Sequence, residues 1–283
     1  MTRLFLIAVI TASCSFLQLY AGEIDHDFIA SLEGGQILEG YVPNPSTSNS
    51  GVTIATGVDL GSRTEAELIG LGLDSALVAR LKPYLGLKKA AAKQFEDANP
   101  LVITKPEADA LDKAVQGAIE KALVTKYDAA VSASAKKFSD LPTQAKTVIF
   151  SVQYQYGDLS TKTPKFWGMV TKQDWKSAVR ELWNFGDDYE VRRFKEGDLL
   201  SDLVVDLPSI SKSVGMGGAN EAADVNIVQT LLKDKTVYSG PISGTCDTAT
   251  IAAIKTFQQS IGFNTPDGAI SPGKKTFRRL VAF

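Results

Sequence analysis

The chain has 283 residues, 44% hydrophobic and 22% charged, with a formal net charge of -2. That near balance, with no long run of one sign, excludes a nucleic-acid partner, because phosphate binding leaves a basic face or stripe. Two cysteines, Cys14 and Cys246, and one histidine, His26, exclude a zinc site built from Cys and His, a Cys–His nucleophile pair and a disulfide framework.

The N-terminus reads as an export signal. Met1-Thr2-Arg3 is a short basic start, residues 4–12 are apolar apart from Thr11, and Tyr20-Ala21-Gly22 offers a small-residue exit after Ala21. The apolar run is too short to span a membrane. Leu19 is bulkier than such a site usually carries. Thr11-Ala12-Ser13-Cys14 loosely matches a lipoprotein box with Thr11 at an aliphatic position, so anchoring through Cys14 is the alternative to a signal peptide over 1–21. The expected address is periplasmic or secreted. Once Cys14 leaves with the signal, Cys246 stands alone as a small, buried or half-buried filler.

From residue 25 to about 202 the pattern is mostly helical. Residues 27–32 form a short amphipathic piece stopped by Gly34-Gly35. Residues 40–61 are rich in Gly, Pro, Ser and Asn around a strand-like stretch at 51–56, which predicts a β-hairpin. Thr64 with Glu67, and Thr104 with Glu107, predict capping boxes at two helix starts. Residues 143–156 are apolar all round, as in a central core helix; 175–183 and 189–200 predict further helices. Residues 207–218 combine Pro, Ser and Gly as a flexible tether does. After it come three amphipathic stretches, marked by Val225, Val228 and Leu232, by Ile251, Ile254 and Phe257, and by Phe277 and Leu280. The expected organisation is a signal at 1–21, a larger domain at 23–205, a linker at 206–221 and a small domain at 222–283. The fold class is α+β, mainly helical, with a small β-hairpin in the first domain and three helices in the second.

Glu33 closes an apolar-faced helix, a position that suits a general acid; a surface glutamate at a helix end is the plain alternative. Thr53 alternates with Val52 and Ile54, so its hydroxyl faces away from theirs. Asp59 follows the turn-prone Gly57. An acid opposite a hydroxyl and a second carboxylate is the pairing that glycoside hydrolysis needs, one group for the leaving oxygen and others to place water. Taken singly, a strand threonine and a turn aspartate are ordinary.

Glu33-Gly34-Gly35, Gly40-Tyr41 and the run from Ser50-Gly51-Val52-Thr53 to Asp59-Leu60-Gly61 resemble the active-site hairpin of phage-type lysozymes, and most of all the pesticin-like muramidases. Residues 148–157, ending Tyr154-Gln155-Tyr156-Gly157, are similar to the buried helix of that family, and Arg192-Arg193 with Glu196 to its double-arginine helix. The resemblance implies a lysozyme-like domain in which Glu33 is the general acid, Thr53 places the attacking water and Asp59 is the second carboxylate. Arg192 is then the arginine that pairs with Glu33, with Arg193 as its competitor and a solvated helix residue as the ordinary reading of either. Pro43 stands where the family often has an aspartate, which shifts weight to Asp59. Ala55 replaces a usual glycine, a change tolerated if its φ is negative.

Residues 225–232 with Gln229, the turn Gly240-Pro241-Ile242-Ser243-Gly244, the helix around Phe257-Gln258 and Asp267-Gly268-Ala269-Ile270-Ser271-Pro272 resemble a helical peptidoglycan-binding domain. Asp247 and Ser271 depart from its usual glycines; a small bundle without a ligand is the alternative. Together the resemblances imply a muramidase that cleaves the β-1,4 bond between N-acetylmuramic acid and N-acetylglucosamine, with inversion and without metal or organic cofactor. Peptidoglycan is the expected partner, with an immunity or inhibitor protein as a second, and the chain is expected to be a monomer. The rivals are a catalytically inactive wall-binding protein on the same scaffold and a glycosidase acting on another amino-sugar polymer such as chitin.

Overall fold

The computed structural model describes residues 22–282. The expected signal peptide and Cys14 lie outside the described residues. Within them no helix is long and apolar enough to cross a membrane.

The fold opens with α1 (His26–Leu32), capped by Asp25, whose Oδ1 accepts the Phe28 amide at 2.9 Å. The chain leaves α1 through Gly34 and Gly35, at φ +79° and +90°, a left-handed exit that favours glycine. Three strands follow, β1 (Ile37–Tyr41), β2 (Thr53–Ala55) and β3 (Val58–Asp59), in an antiparallel sheet of that order. The sheet is thus the expected hairpin plus one further strand. In its register Tyr41, Thr53 and Asp59 form one cross-strand row, and Ile54 pairs with Val58.

Helices α2 (Glu65–Gly70), α3 (Ser75–Leu81) and α4 (Lys89–Ala98) build a first core with the sheet, around Ile54, Leu60, Leu68 and Leu81. At α2 only half of the expected capping box forms. Thr64 Oγ1 accepts the Glu67 amide at 3.2 Å, while the Glu67 carboxylate turns to Arg63. At α5 (Lys105–Ala130) the full box closes, with the Thr104 amide on Glu107 Oε2 at 2.8 Å. This helix of 26 residues joins two cores: Leu111 and Val115 belong to the first, Leu123 and Tyr127 to the second, and Ile119 packs against both. The second core is centred on α6 (Thr143–Tyr156), buried continuously from Ala145 to Val152 as its apolar sequence predicts. Helices α7 (Leu159–Lys162), α8 (Pro164–Val170), α9 (Trp175–Trp183) and α10 (Glu190–Ser201) complete it.

Residues 206–221, expected from composition to be a loose tether, are built into the structure. Ile210 and Val214 are buried. Within the segment β4 (Val214–Gly215) pairs with β5 (Ala269–Ile270). Three helices follow the segment: α11 (Ala222–Asp234), α12 (Thr248–Ser260) and α13 (Lys275–Ala282). The Asp224 carboxylate accepts the Ser211 and Lys212 amides at 2.9 and 2.8 Å. Composition reads Pro, Ser and Gly as coil. It does not register two apolar side chains with a core to enter, or an aspartate downstream that satisfies the turn's amides. One hydrophobic cluster accordingly runs from Ile29 through α9 and α10 into the C-terminal unit, as far as Val281.

Two glutamines hold that unit's turns. Gln229, fully buried, accepts the Ser243 and Gly244 amides at 2.9 and 3.1 Å and donates to Thr245 O and Thr250 Oγ1, both at 3.0 Å. Gln258 repeats the device with the Gly268 amide at 2.9 Å and Ala269 O at 3.1 Å. Replacing Gln229 by leucine leaves two amides without a partner, each worth about 1–3 kcal/mol when buried. Urea denaturation should therefore show the Gln229→Leu chain less stable by about 2–4 kcal/mol; an unchanged midpoint would remove the turn-holding role.

Candidate active site

Glu33 caps the C-terminus of α1, between the two cores, with its side chain 20% exposed. Its Oε1 accepts from Arg192 Nη1 at 2.6 Å. Its Oε2 faces the β2–β3 turn: a Cβ added to Gly57 would stand 3.8 Å away. The carboxylate therefore has one oxygen on a cation and the other toward the hairpin.

Arg192 and Arg193 are both buried, which rules out a solvated helix face, and they part company as neighbours on a helix must. Arg192 donates through Nε to Glu196 Oε1 at 3.1 Å and through Nη2 to Ser151 O at 3.0 Å, besides Glu33. Arg193 turns the other way. It donates to Asp187 Oδ2 at 2.8 Å, to Glu196 and to Gln155, and its guanidinium lies 4.8 Å from the Phe185 ring centroid. Glu196, with no exposed surface, is shared by both arginines. Burial pushes the Asp187 carboxyl up, but the Tyr156 hydroxyl and Arg193 outweigh it and hold it below the usual carboxylate range.

On the hairpin, Thr53 and Asp59 are brought together as cross-strand partners. Thr53 is buried, its hydroxyl donating to Gly51 O at 3.4 Å. Asp59 Oδ1 accepts the amides of Gly51 and Gly61, at 2.9 and 2.8 Å, and so ties the two ends of the hairpin. Those backbones approach so closely that a Cβ on Gly51 would stand 2.5 Å from Gly61 Cα. An open cleft of ≈540 Å³ runs along Glu33, Gln155, Tyr189, Glu190 and Arg192; Thr53 and Asp59 are not among its lining residues. The structure thus forms two pairs, Glu33 with Arg192 and Thr53 with Asp59, and the turn between β2 and β3 brings Gly57 toward Glu33.

That turn is clamped by residues to which the sequence assigned no role of their own. Asp112 of α5 accepts the Thr56 amide at 2.9 Å and the Thr56 hydroxyl at 2.7 Å, and Gln36 donates to it at 2.7 Å. The Tyr154 hydroxyl donates to Thr56 O. Burial, reinforced by the Asp112 and Glu33 carboxylates, drives that hydroxyl well above the usual tyrosine range, so it remains a donor. The available signal for Asp112 was a charge within the apolar stripe of Ala108, Leu111 and Val115. Ala55 does not meet the condition for an easy replacement of glycine: its φ is +54°. A left-handed alanine costs roughly 1–2 kcal/mol, and it is held there by the bonds at Thr56. Asp112→Ala should strip hydrogen-exchange protection from the Thr56 amide and lower stability by about 2–4 kcal/mol, with Asp112→Asn intermediate. Unchanged protection at Thr56 would show that the clamp is dispensable.

Two family models match the chain. The Pesticin family model, described as a bacterial toxin homologue of phage lysozyme, matches residues 23–176. A model for a peptidoglycan binding domain matches residues 221–280. The first match includes Glu33, the sheet and Asp112; α10 with Arg192 lies beyond it. No curated relative matches the chain. The match extends over more than half of the sequence, so the chain belongs to the family of bacterial toxin homologues of phage lysozyme, with a peptidoglycan-binding domain after its lysozyme-like one.

Proposed function

We propose that this peptidoglycan hydrolase is an exported, bacteriolytic muramidase that cleaves the β-1,4 bond between N-acetylmuramic acid and N-acetylglucosamine, with Glu33 as general acid. The observation that carries the proposal is Glu33 itself: a half-buried carboxylate at the join of two cores, one oxygen fixed by Arg192 and the other turned to the hairpin. The fixed oxygen sets the orientation, and Oε2 is the one that delivers a proton to the glycosidic oxygen.

Thr53 and Asp59 place the attacking water in this reading. Their shared face of the sheet also carries Tyr41, which is 40% exposed and offers a sugar ring an aromatic edge beside them. A water placed by a hydroxyl and a fixed carboxylate, rather than a carboxylate nucleophile, gives inversion. Asp59 also has a structural duty as acceptor of two amides. That duty is what an inactive wall-binding scaffold would retain, and it makes activity the deciding measurement.

Glu33→Gln should lower turnover of purified wall by roughly 10²–10⁴-fold, the usual worth of a positioned proton donor, with an unchanged circular dichroism spectrum. Arg192 keeps Glu196 and Ser151 in that variant, so the fold is retained. A folded Glu33→Gln chain of normal activity would exclude Glu33 as the acid. Thr53→Val should reduce kcat with little change in KM. In the parent, the first product resolved by proton NMR should be the α-anomer; a β-anomer would require a retaining mechanism. Mass spectrometry of the digest, reading which sugar carries the new reducing end, separates a muramidase from an enzyme for another bond.

A further inference from the structure

The first turn of α10, with Asp188 and Tyr189 before it, forms one wall of the cleft beside Glu33. Both carboxylate oxygens of Glu190 in that turn are bonded from the C-terminal unit. Arg279 Nη2 donates to Oε1 at 2.7 Å, and Lys275 Nζ lies 2.9 Å from Oε2, both from α13. Arg279 also donates through Nη1 to Asn184 Oδ1, at the end of α9. One arginine therefore ties both ends of the connection at 184–190, which contains Asp187, the partner of Arg193.

The contact continues along one stripe of α10, because residues four and eight positions beyond Glu190 share its face. Arg278 donates to Asp198 through Nε at 2.8 Å, and its guanidinium lies 5.0 Å from the Phe194 ring centroid. Beneath these charges Phe277, Leu280 and Val281 are buried in the cluster shared with α9. The opposite face of α10 carries Arg192 to Glu33. A single helix thus has the C-terminal unit on one side and the candidate acid on the other. Isolated surface ion pairs contribute little. Here the pairs are partly buried, share carboxylates and stack on an aromatic ring, and what they hold is position rather than gross stability.

We infer that the C-terminal unit is a working part of the cleft: Lys275 and Arg279 are positioning residues that fix Glu190 and the α9–α10 rim, so turnover depends on them even when there is no wall to bind. The kinetic consequence rests on the glycan-hydrolysis reading above; the bracing itself does not. The test uses the full chain carrying Lys275→Met with Arg279→Met, which keeps both stems and removes both charges. Amide exchange over 184–191 should quicken about tenfold while α6 stays protected. Turnover (kcat) of a soluble peptidoglycan fragment should fall roughly 5–10-fold, since displacing a positioned group by a fraction of an ångström is enough. Co-sedimentation with insoluble wall should be unchanged, and Lys275→Arg, which keeps the charge on Glu190, should leave exchange and turnover at parental values. If the double variant does not fold, Arg279→Met alone carries the same measurements. Unchanged exchange at 184–191 overturns the proposal, and so does a loosened rim with parental kcat. A parental chain that fails to cleave the fragment defeats the glycan-hydrolysis reading instead, and exchange then decides the bracing.

Discussion

A guanidinium held between two carboxylates organises this molecule. Arg192 reaches forward to Glu33, back to Glu196 and sideways to Ser151 of α6. Moving such charges out of water costs several kcal/mol per ion, and only complete pairing recovers it. Pairing is complete here because the neighbouring arginine uses the second oxygen of Glu196 and closes on Asp187. The network is therefore a poor place to look for gross stability and a good one to look for position: no member can move without leaving another buried and unpaired. Position is what a proton donor requires.

The second constraint is the turn that faces Glu33. Ala55 and Gly57 both have positive φ, and the backbone between them is tied to α5 through Asp112 and to α6 through Tyr154. A left-handed alanine persists only where its surroundings impose it, and two helices from either side do so. The hairpin thus takes its place from the body of the domain. This explains how a sheet of three short strands, with β2 only three residues long and β3 two, can present Thr53 and Asp59 in a fixed row.

The peptidoglycan-binding domain adds a further element. A tethered module would act by raising the local concentration of enzyme at the wall. A module sharing a core with α9 and ion pairs with α10 also fixes how the cleft is presented to the surface it binds. On the proposed reading, wall binding and glycan cleavage are then constrained in relative orientation, which suits a substrate that is itself an extended mesh.

Local pattern alone determined a good deal. The apolar run of α6, the cap at Thr104, the Gly34-Gly35 exit, the strand at Thr53 and the three C-terminal helices are properties of short stretches, and each was legible because a short stretch suffices to specify it. Glu33, Thr53, Asp59 and Arg192 were legible as candidates for the same reason, as members of ordered motifs. The resemblance favoured Arg192 as the partner of Glu33, but local pattern left Arg193 open, because adjacent helical residues differ only in direction, and direction acquires meaning only once α10 is packed. Asp112 was missed, and Tyr154 was read only as part of a helix motif, because their partner, Thr56, lies 56 and 98 residues away along the chain. The sign of φ at Ala55 depends on that same clamp. The segment at 206–221 reads as coil by composition and became structure because distant apolar groups and the Asp224 carboxylate were there to receive it. Tertiary structure decided these points, since long-range hydrogen bonds and shared cores leave no mark on local periodicity.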